Sequence, residues 1–218
     1  MPRNTRRSDL RFYDCKTAPS PRRVRIFIAE KSIEIETVQI DLGSGEQFSD
    51  TFRDINPDCV VPALQLDNGS CLSEVVAICH FLEAQYPTPA LMGTTDEERA
   101  RILMWNSKVE QQGILAVADG FRNAAKGLKN RAMTGPVSYA QIPELAERGR
   151  ERVEQFFRRL DGQLADNEFI AGDNYSIADI SAMVVVDFAA RIKVALPEDK
   201  PNARRWYESV SSRPSAAA

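Results

Sequence analysis

The sequence predicts a mixed α/β half followed by an all-helical half, and three observations carry that prediction. Residues 10–85 alternate short β-like runs with helical ones. The segment Tyr86-Pro87-Thr88-Pro89, with Gly93 beyond it, then breaks the pattern as a stiff, exposed connector. After it, every apolar repeat has helical spacing and no strand is expected. The boundary is therefore placed there, giving an α/β domain over 9–87 and a helical domain over 96–218.

The α/β half reads in order as follows. Residues 10–13 alternate apolar and polar side chains, as a strand does. Residues 21–31 place Val24, Phe27 and Ile28 at helical spacing, with Ser20 as N-cap and Pro21 in the first helical position. Residues 35–40 are alternating and β-branched, a second strand. A weaker helix over 46–55 ends at Asn56-Pro57, because proline disfavours helix at the residue before it. Residues 63–66 and 71–73 flank the turn Asp67-Asn68-Gly69-Ser70 and form a hairpin. A third helix over 74–85 sets Val75, Ile78 and Leu82 on one face. The first β-α-β can form a parallel right-handed unit, and the hairpin can extend its sheet.

In the helical half, residues 96–126 form one long pattern through Ile102, Leu103, Trp105, Val109 and Leu115. Gly113 and Gly120 can bend it or admit a close neighbour. A loop over 134–143 precedes a strongly periodic helix over 144–164. Residues 177–190 are almost wholly apolar and are expected at the centre of the core. Ser176 and Asp179 are spaced as a capping box at its start, with Tyr175 and Ile180 placed for a hydrophobic staple. A last helix spans 202–210.

Composition bounds the function. The chain has 218 residues, is 43% hydrophobic and 27% charged, and carries a formal net charge of -3. That balance offers no basic excess for nucleic acid or anionic lipid. The basic opening Met1-Pro2-Arg3-Asn4-Thr5-Arg6-Arg7 precedes no apolar run and reads as a tail, not a signal peptide. No stretch approaches the ~20 apolar residues of a membrane span, so a soluble, cytoplasmic protein is expected. Cys15, Cys59, Cys71 and Cys79 form no Cys-x-x-Cys pair, and His80 is the one histidine. Neither a metal site nor a disulfide framework is expected from that set.

Three motifs identify a family. Asn56-Pro57-Asp58-Cys59-Val60-Val61-Pro62-Ala63-Leu64 resembles the N-P-x-x-x-V-P-x-L signature of glutathione S-transferases. Leu72-Ser73-Glu74-Val75-Val76-Ala77-Ile78 resembles their L-x-E-S-x-A-I. The run from Phe169 to Ile180 is similar to their F-x-x-G-x-x-x-S-x-A-D-I. The resemblance implies a thioredoxin-like glutathione-binding domain joined to a C-terminal helical bundle. It also implies glutathione as co-substrate, a small electrophile as second substrate, and a homodimer. It implies a cis Val61-Pro62 bond, which exposes the Val61 backbone as an edge that pairs with the cysteinyl part of glutathione. Glu74 and Val75, opening the third helix, would hold the γ-glutamyl end through the first-turn N–H groups and a charge-assisted bond. Val75 stands where the family has serine, so a hydroxyl contact is expected to be missing; Ser73 could replace it only if the backbone bends there. Gln47 matches a glutamine that touches the tripeptide backbone in zeta-like members.

At the reacting end, glutathione's thiol must ionise. With an ordinary thiol pKa near 8.5, only about 3% is thiolate at pH 7. Lowering the pKa by about two units requires roughly 2.7 kcal/mol, which one hydrogen bond to a charged group, about 1.5–3 kcal/mol, can supply. The hydroxyl of Ser20 is the expected catalytic group by resemblance to an A-P-[ST]-P pattern of bacterial members, with Thr17 as the alternative. Aligned on Arg23-Val24-Arg25-Ile26, the catalytic serines of zeta-like members fall on Ala18 and Pro19, which argues against their isomerase mechanism. Cys15 would serve instead if the chain formed a mixed disulfide with glutathione. Tyr13 is expected to pack, and Arg22 to lie in solvent unless it assists the ligand. Met104, Trp105, Ile114 and Phe121 are the candidates for an electrophile site between the halves. Two other readings stay open: glutathione-dependent reduction of disulfides or peroxides, and a non-catalytic interaction module on the same fold.

Overall fold

The structure, a computed structural model, describes residues 10–218. The basic segment at residues 1–7 and the first position of the 9–87 domain lie outside the described residues. Strand β1 (Arg11–Asp14) is paired in parallel with β2 (Glu36–Gln39) through a crossover helix, α1 (Pro19–Glu30). β3 (Ala63–Gln65) runs antiparallel to β1, and β4 (Cys71–Ser73) antiparallel to β3, giving the order β2-β1-β3-β4. Helices α2 (Asp50–Ile55) and α3 (Val75–Gln85) complete this half. It is the thioredoxin-like arrangement that the resemblance implies.

Two local expectations are corrected. The helix expected over 46–55 is split into a 3-10 turn, Glu46–Phe48, and α2. Ser49 is extended between them, and its side chain accepts from the Phe52 N–H, so it caps the second piece instead of continuing the first. Helix α1 starts two residues earlier than expected, with Pro19 in its first position. The N-cap is Ala18, whose carbonyl accepts from the Arg22 N–H at 3.3 Å. Ser20 is therefore inside the first turn and is not the cap. Both prolines fit because first-turn N–H groups have no intrahelical acceptor to lose.

Beyond Gln85 all regular elements are helical. α4 (Asp96–Val109), a π turn at Glu110–Ile114 and α5 (Leu115–Arg122) run on as one rod. Gly113 lies in the π turn, and a Cβ there would stand 2.8 Å from a Val185 methyl. α5 crosses α6 (Pro143–Gln163) at a second close approach: a Cβ on Gly149 would lie 2.5 Å from the Gly120 nitrogen. Gly149 carries no pattern that sets it apart from an ordinary helix glycine in sequence. α7 (Ile177–Ala189) is the core helix, and α8 (Pro201–Ser211) closes the bundle.

The capping box at α7 is present. The buried Asp179 carboxylate accepts from the N–H groups of Ser176 at 3.0 Å and Ile170 at 2.9 Å, and from Trp206 Nε1 at 2.9 Å. Burial pushes its pKa up to about 6 against those bonds. One motif thus joins the start of α7, the preceding loop and α8.

The connector is solvated on its outer face but pinned from within. Lys31, whose side chain is 0% exposed, sends its ammonium to Glu83 and Pro89, at 2.7 and 2.6 Å, and to the Tyr86 carbonyl at 2.7 Å. Glu83 in turn accepts from the Leu91 N–H at 3.1 Å. A buried ammonium with three acceptors is satisfied, and here two of the acceptors are carbonyls of the connector and the third is the Glu83 carboxylate of α3.

Candidate active site

The sheet register brings the motif residues together. Tyr13 lies opposite Ala63, and Ala63 opposite Ser73, so the ends of β1 and β4 and the start of β3 form one row. One step beyond that row lie the β1–α1 loop, Pro62 and Glu74. β2 ends at the same edge, opposite Asp14, and leads into the turn that carries Gln47.

The Val61–Pro62 peptide is cis. Among the described residues, neither the N–H nor the C=O of Val61 has a backbone hydrogen-bond partner. Its side chain packs against the small cluster of Tyr13, Ile40, Phe52 and Ala63. Buried Asn56 braces the loop in front of it, donating to the Val60 carbonyl at 2.9 Å.

Glu74 is the N-cap of α3 with φ 69° and ψ 128°, a region that a residue with a Cβ rarely occupies. Its side chain is exposed and makes no capping bond, so the first-turn N–H groups of α3 are left without a protein acceptor from that position. The backbone does bend after Ser73, the half-buried last residue of β4. Val75, in the first position of α3, is 4% exposed and packs in the hydrophobic core with Ile78 and Leu82. Gln47 is buried, and its Oε1 has no partner among the described residues.

At the start of α1, the Ser20 hydroxyl oxygen accepts from Arg23 Nη2 at 3.4 Å, which leaves its proton free to donate elsewhere. Arg23 is buried and pairs with Glu110 in the π turn. Thr17 is exposed, with Oγ1 3.5 Å from the sulfur of buried Cys15. The loop is held by buried Asp14, which accepts from Arg25 at 2.6 Å and from Gln39 Nε2 at 2.5 Å. Tyr13 packs edge-on against Phe52 and donates to Gln65 Oε1 at 3.1 Å. Arg22 is not in solvent: it is half-buried, paired with Asp187 of α7, and donates to the Ala216 carbonyl at 3.0 Å. The Arg23–Glu110 and Arg22–Asp187 pairs have no local sequence signal.

A cavity of 160 Å³ opens between the start of α1 and the end of α7, lined by Lys16, Thr17, Pro19 and Arg22 with Asp187, Phe188 and Arg191. Of the four residues expected around an electrophile, Trp105 and Ile114 are core and Met104 is 45% exposed. Only Phe121 reaches this region, meeting Phe188 edge-to-face at 5.6 Å. Sequence reasoning missed the α7 end, although the polar break from Asp187 to Arg191 after an unbroken apolar run marks it. Among the described residues, no group of three His, Cys, Asp or Glu side chains is placed to hold a metal ion.

Comparison with known proteins agrees with this geometry. The family model described as "Glutathione S-transferase, N-terminal domain" matches residues 17–85, and that described as "Glutathione S-transferase, C-terminal domain" matches residues 128–214. Glutathione S-transferase 2 of Saccharomyces cerevisiae is 34% identical over 207 residues, covering 94% of this chain and 86% of that protein. A crystal structure of a glutathione S-transferase domain-containing protein from Marinobacter aquaeolei superposes with a TM-score of 0.86 at 36% identity, over 94% of this chain and 98% of that one. A disulfide-bond oxidoreductase of Escherichia coli is 28% identical, covering 92% of this chain and 91% of that protein. This chain belongs to the glutathione S-transferase family.

Proposed function

We propose that the protein conjugates glutathione to a small electrophile, with Ser20 as the catalytic hydroxyl. The observation that carries this reading is the Val61 backbone, which has no hydrogen-bond partner among the described residues and leads through Pro62 into Ala63, in register with Tyr13 before the β1–α1 loop and with Ser73 before α3. In this reading the cysteinyl backbone of glutathione pairs with Val61 beside Pro62. The γ-glutamyl carboxylate meets the Val75 N–H at the head of α3, and its ammonium meets Glu74. The buried Gln47 carbonyl, which has no donor among the described residues, takes a backbone N–H of the tripeptide.

The thiol then lies at the head of α1. Ser20 donates to the sulfur while its own oxygen receives a hydrogen bond from the Arg23 guanidinium, which strengthens the hydroxyl as a donor. The thiol proton leaves to solvent. The thiolate sulfur attacks the electrophilic carbon, a C–S bond forms, and the leaving group departs with its electron pair. The test is turnover of a chlorodinitrobenzene by the unaltered protein and by Ser20→Ala and Thr17→Val; retention of full activity in Ser20→Ala excludes the assigned role.

Glutathione-dependent disulfide or peroxide reduction is a second reading, favoured by Cys15 in the same loop and by the E. coli oxidoreductase. Loss of activity in Cys15→Ser, with Ser20→Ala silent, selects it. We also take the domains to span 9–87 and 96–218, the chain to act as a homodimer, and its location to be cytoplasmic. Exposed Leu103, Met104 and Leu115 along the α4–α5 rod offer an apolar face for a second copy. Four unpaired cysteines suit a reducing compartment, and no described helix is long and apolar enough to cross a membrane.

A further inference from the structure

We propose that the second substrate is an anion: an electrophile whose apolar ring or conjugated body carries a carboxylate. The inference takes its chemistry from the transferase reading, while its charge preference stands on the cleft alone.

The cavity at the head of α1 has a neighbour of 240 Å³, lined by Phe121, Arg150, Arg191, Ile192 and Lys193 with small residues at and just beyond the end of α5. Arg191 lines both spaces, and the edge-to-face pair Phe121–Phe188 lies where they meet. The charged side chains that line the two are Lys16, Arg22, Arg150, Arg191 and Lys193 against a single acid, Asp187. That acid is already taken, since it accepts from both Arg22 and the Tyr207 hydroxyl. Among the described residues, Lys16, Arg150, Arg191 and Lys193 have no ion-pair partner.

Four cations without an ion-pair partner thus line two cavities that share Arg191 and meet at one aromatic pair. Cations grouped beside low-dielectric ring walls focus a positive potential into the space between them and raise the local concentration of anions. The aromatic pair receives an apolar body, and the cations receive a charge on its rim. Thr17, Ala18 and Pro19, which lead into Ser20, line the first cavity, so a ligand held there meets the same segment that carries the hydroxyl assigned to the thiolate. The thiolate is itself negative, and Lys16 and Arg191 offset the repulsion that a second anion would meet. On an aromatic substrate the sulfur bonds to the ring carbon that bears chlorine, the C–Cl bond breaks, and chloride leaves with the electron pair.

The experiment compares a chlorodinitrobenzene with the corresponding chlorodinitrobenzoate, each rate taken relative to its uncatalysed reaction with glutathione. It is run on the full chain and on Arg191→Gln, Lys16→Gln and Arg148→Gln, the last a cation on the exposed face of α6 away from the cleft. The unaltered protein is expected to favour the benzoate. Arg191→Gln and Lys16→Gln are each expected to lower the benzoate-to-benzene ratio of kcat/KM about fivefold, as a partly solvated ion pair allows, and Arg148→Gln to leave the ratio unchanged. A ratio that does not move in either cleft variant overturns the inference while leaving the transferase reading intact. If neither compound is turned over, the transferase reading fails, and equilibrium binding of anilinonaphthalene sulfonate decides the charge preference. Weaker binding in Arg191→Gln and at high salt sustains an anion site; equal binding in both proteins overturns it.

Discussion

At its carboxyl end α1 is tied to three other parts of the molecule, whereas at its amino end it offers groups that the protein leaves unused. Glu30 receives two hydrogen bonds of 2.7 Å from Arg213 and a further one from Ser215, both in the last turn of the chain. Arg213 also stacks 4.1 Å above the Tyr175 ring. Lys31, one residue on, holds the connector. The amino end has no side-chain cap, two prolines, an exposed Lys16 and Thr17, and a Ser20 hydroxyl bonded only as an acceptor. Its ties to the helical half are Arg22–Asp187, on the wall of the cleft, and Arg23–Glu110, one residue further on. The contrast separates two roles along twelve residues. One end fixes the angle between the halves, so the other can keep open donors at a set position without becoming mobile.

The comparison is broken most forcefully at the locked end. Lys31→Met leaves the Glu83 carboxylate and two connector carbonyls without their cation and should cost about 3–5 kcal/mol of stability. Denaturant titration measures it, and an unchanged midpoint would show that the clamp contributes nothing. At the open end the effect should move from stability to rate. Ser20→Ala removes one hydrogen bond to a developing charge, about 1.5–3 kcal/mol, or roughly ten- to a hundredfold in kcat/KM. Its unfolding midpoint should stay where it was.

Ser176→Ala, in the box that opens α7, should cost about 0.5–2 kcal/mol with no change in rate per folded molecule. A matching loss of activity at full stability would give that serine a role it lacks in this account. The smallest effect is a dependence on pH. Burial raises the Glu30 carboxyl, but the bonds from Arg213 and Ser215 outweigh it and hold the carboxyl below its ordinary value of 4.5. A depressed carboxyl stabilises the fold above its unfolded pKa, and that contribution fades as pH falls through the folded one. The stability gap between the unaltered protein and Glu30→Gln should therefore be widest near neutrality and close below pH 4.5. A gap that widens on acidification would reverse the assignment.

Much of the fold was legible because it is written in short-range periodicity. The alternation at 35–40, the apolar run of α7 and the Ser176–Asp179 spacing each dictate their structure within a few residues. What escaped reading is what joins distant segments. Arg22 and Asp187 are 165 positions apart, and nothing local to either distinguishes a paired arginine from a solvated one. Lys31 at a helix end reads as an ordinary surface cation, yet it is buried. Ser20 before a proline has the pattern of a cap, but Pro19 takes the first helical position and displaces it. Val75 was legible both as a departure from its family's serine and, by its spacing with Ile78 and Leu82, as part of an apolar helix face. The Val61–Pro62 edge was reached through the motif alone, since a valine before a proline is ordinarily trans.

The central claim is that the head of α1 holds glutathione as a thiolate, and the titration of the bound thiol addresses it directly. Thiolate absorbance would be followed against pH in the complex, with the unaltered protein and Ser20→Ala side by side. The account predicts a thiol pKa about two units below the ordinary 8.5 in the first and a return toward it in the second. An unaltered protein that binds glutathione with its thiol still titrating near 8.5 would contradict it.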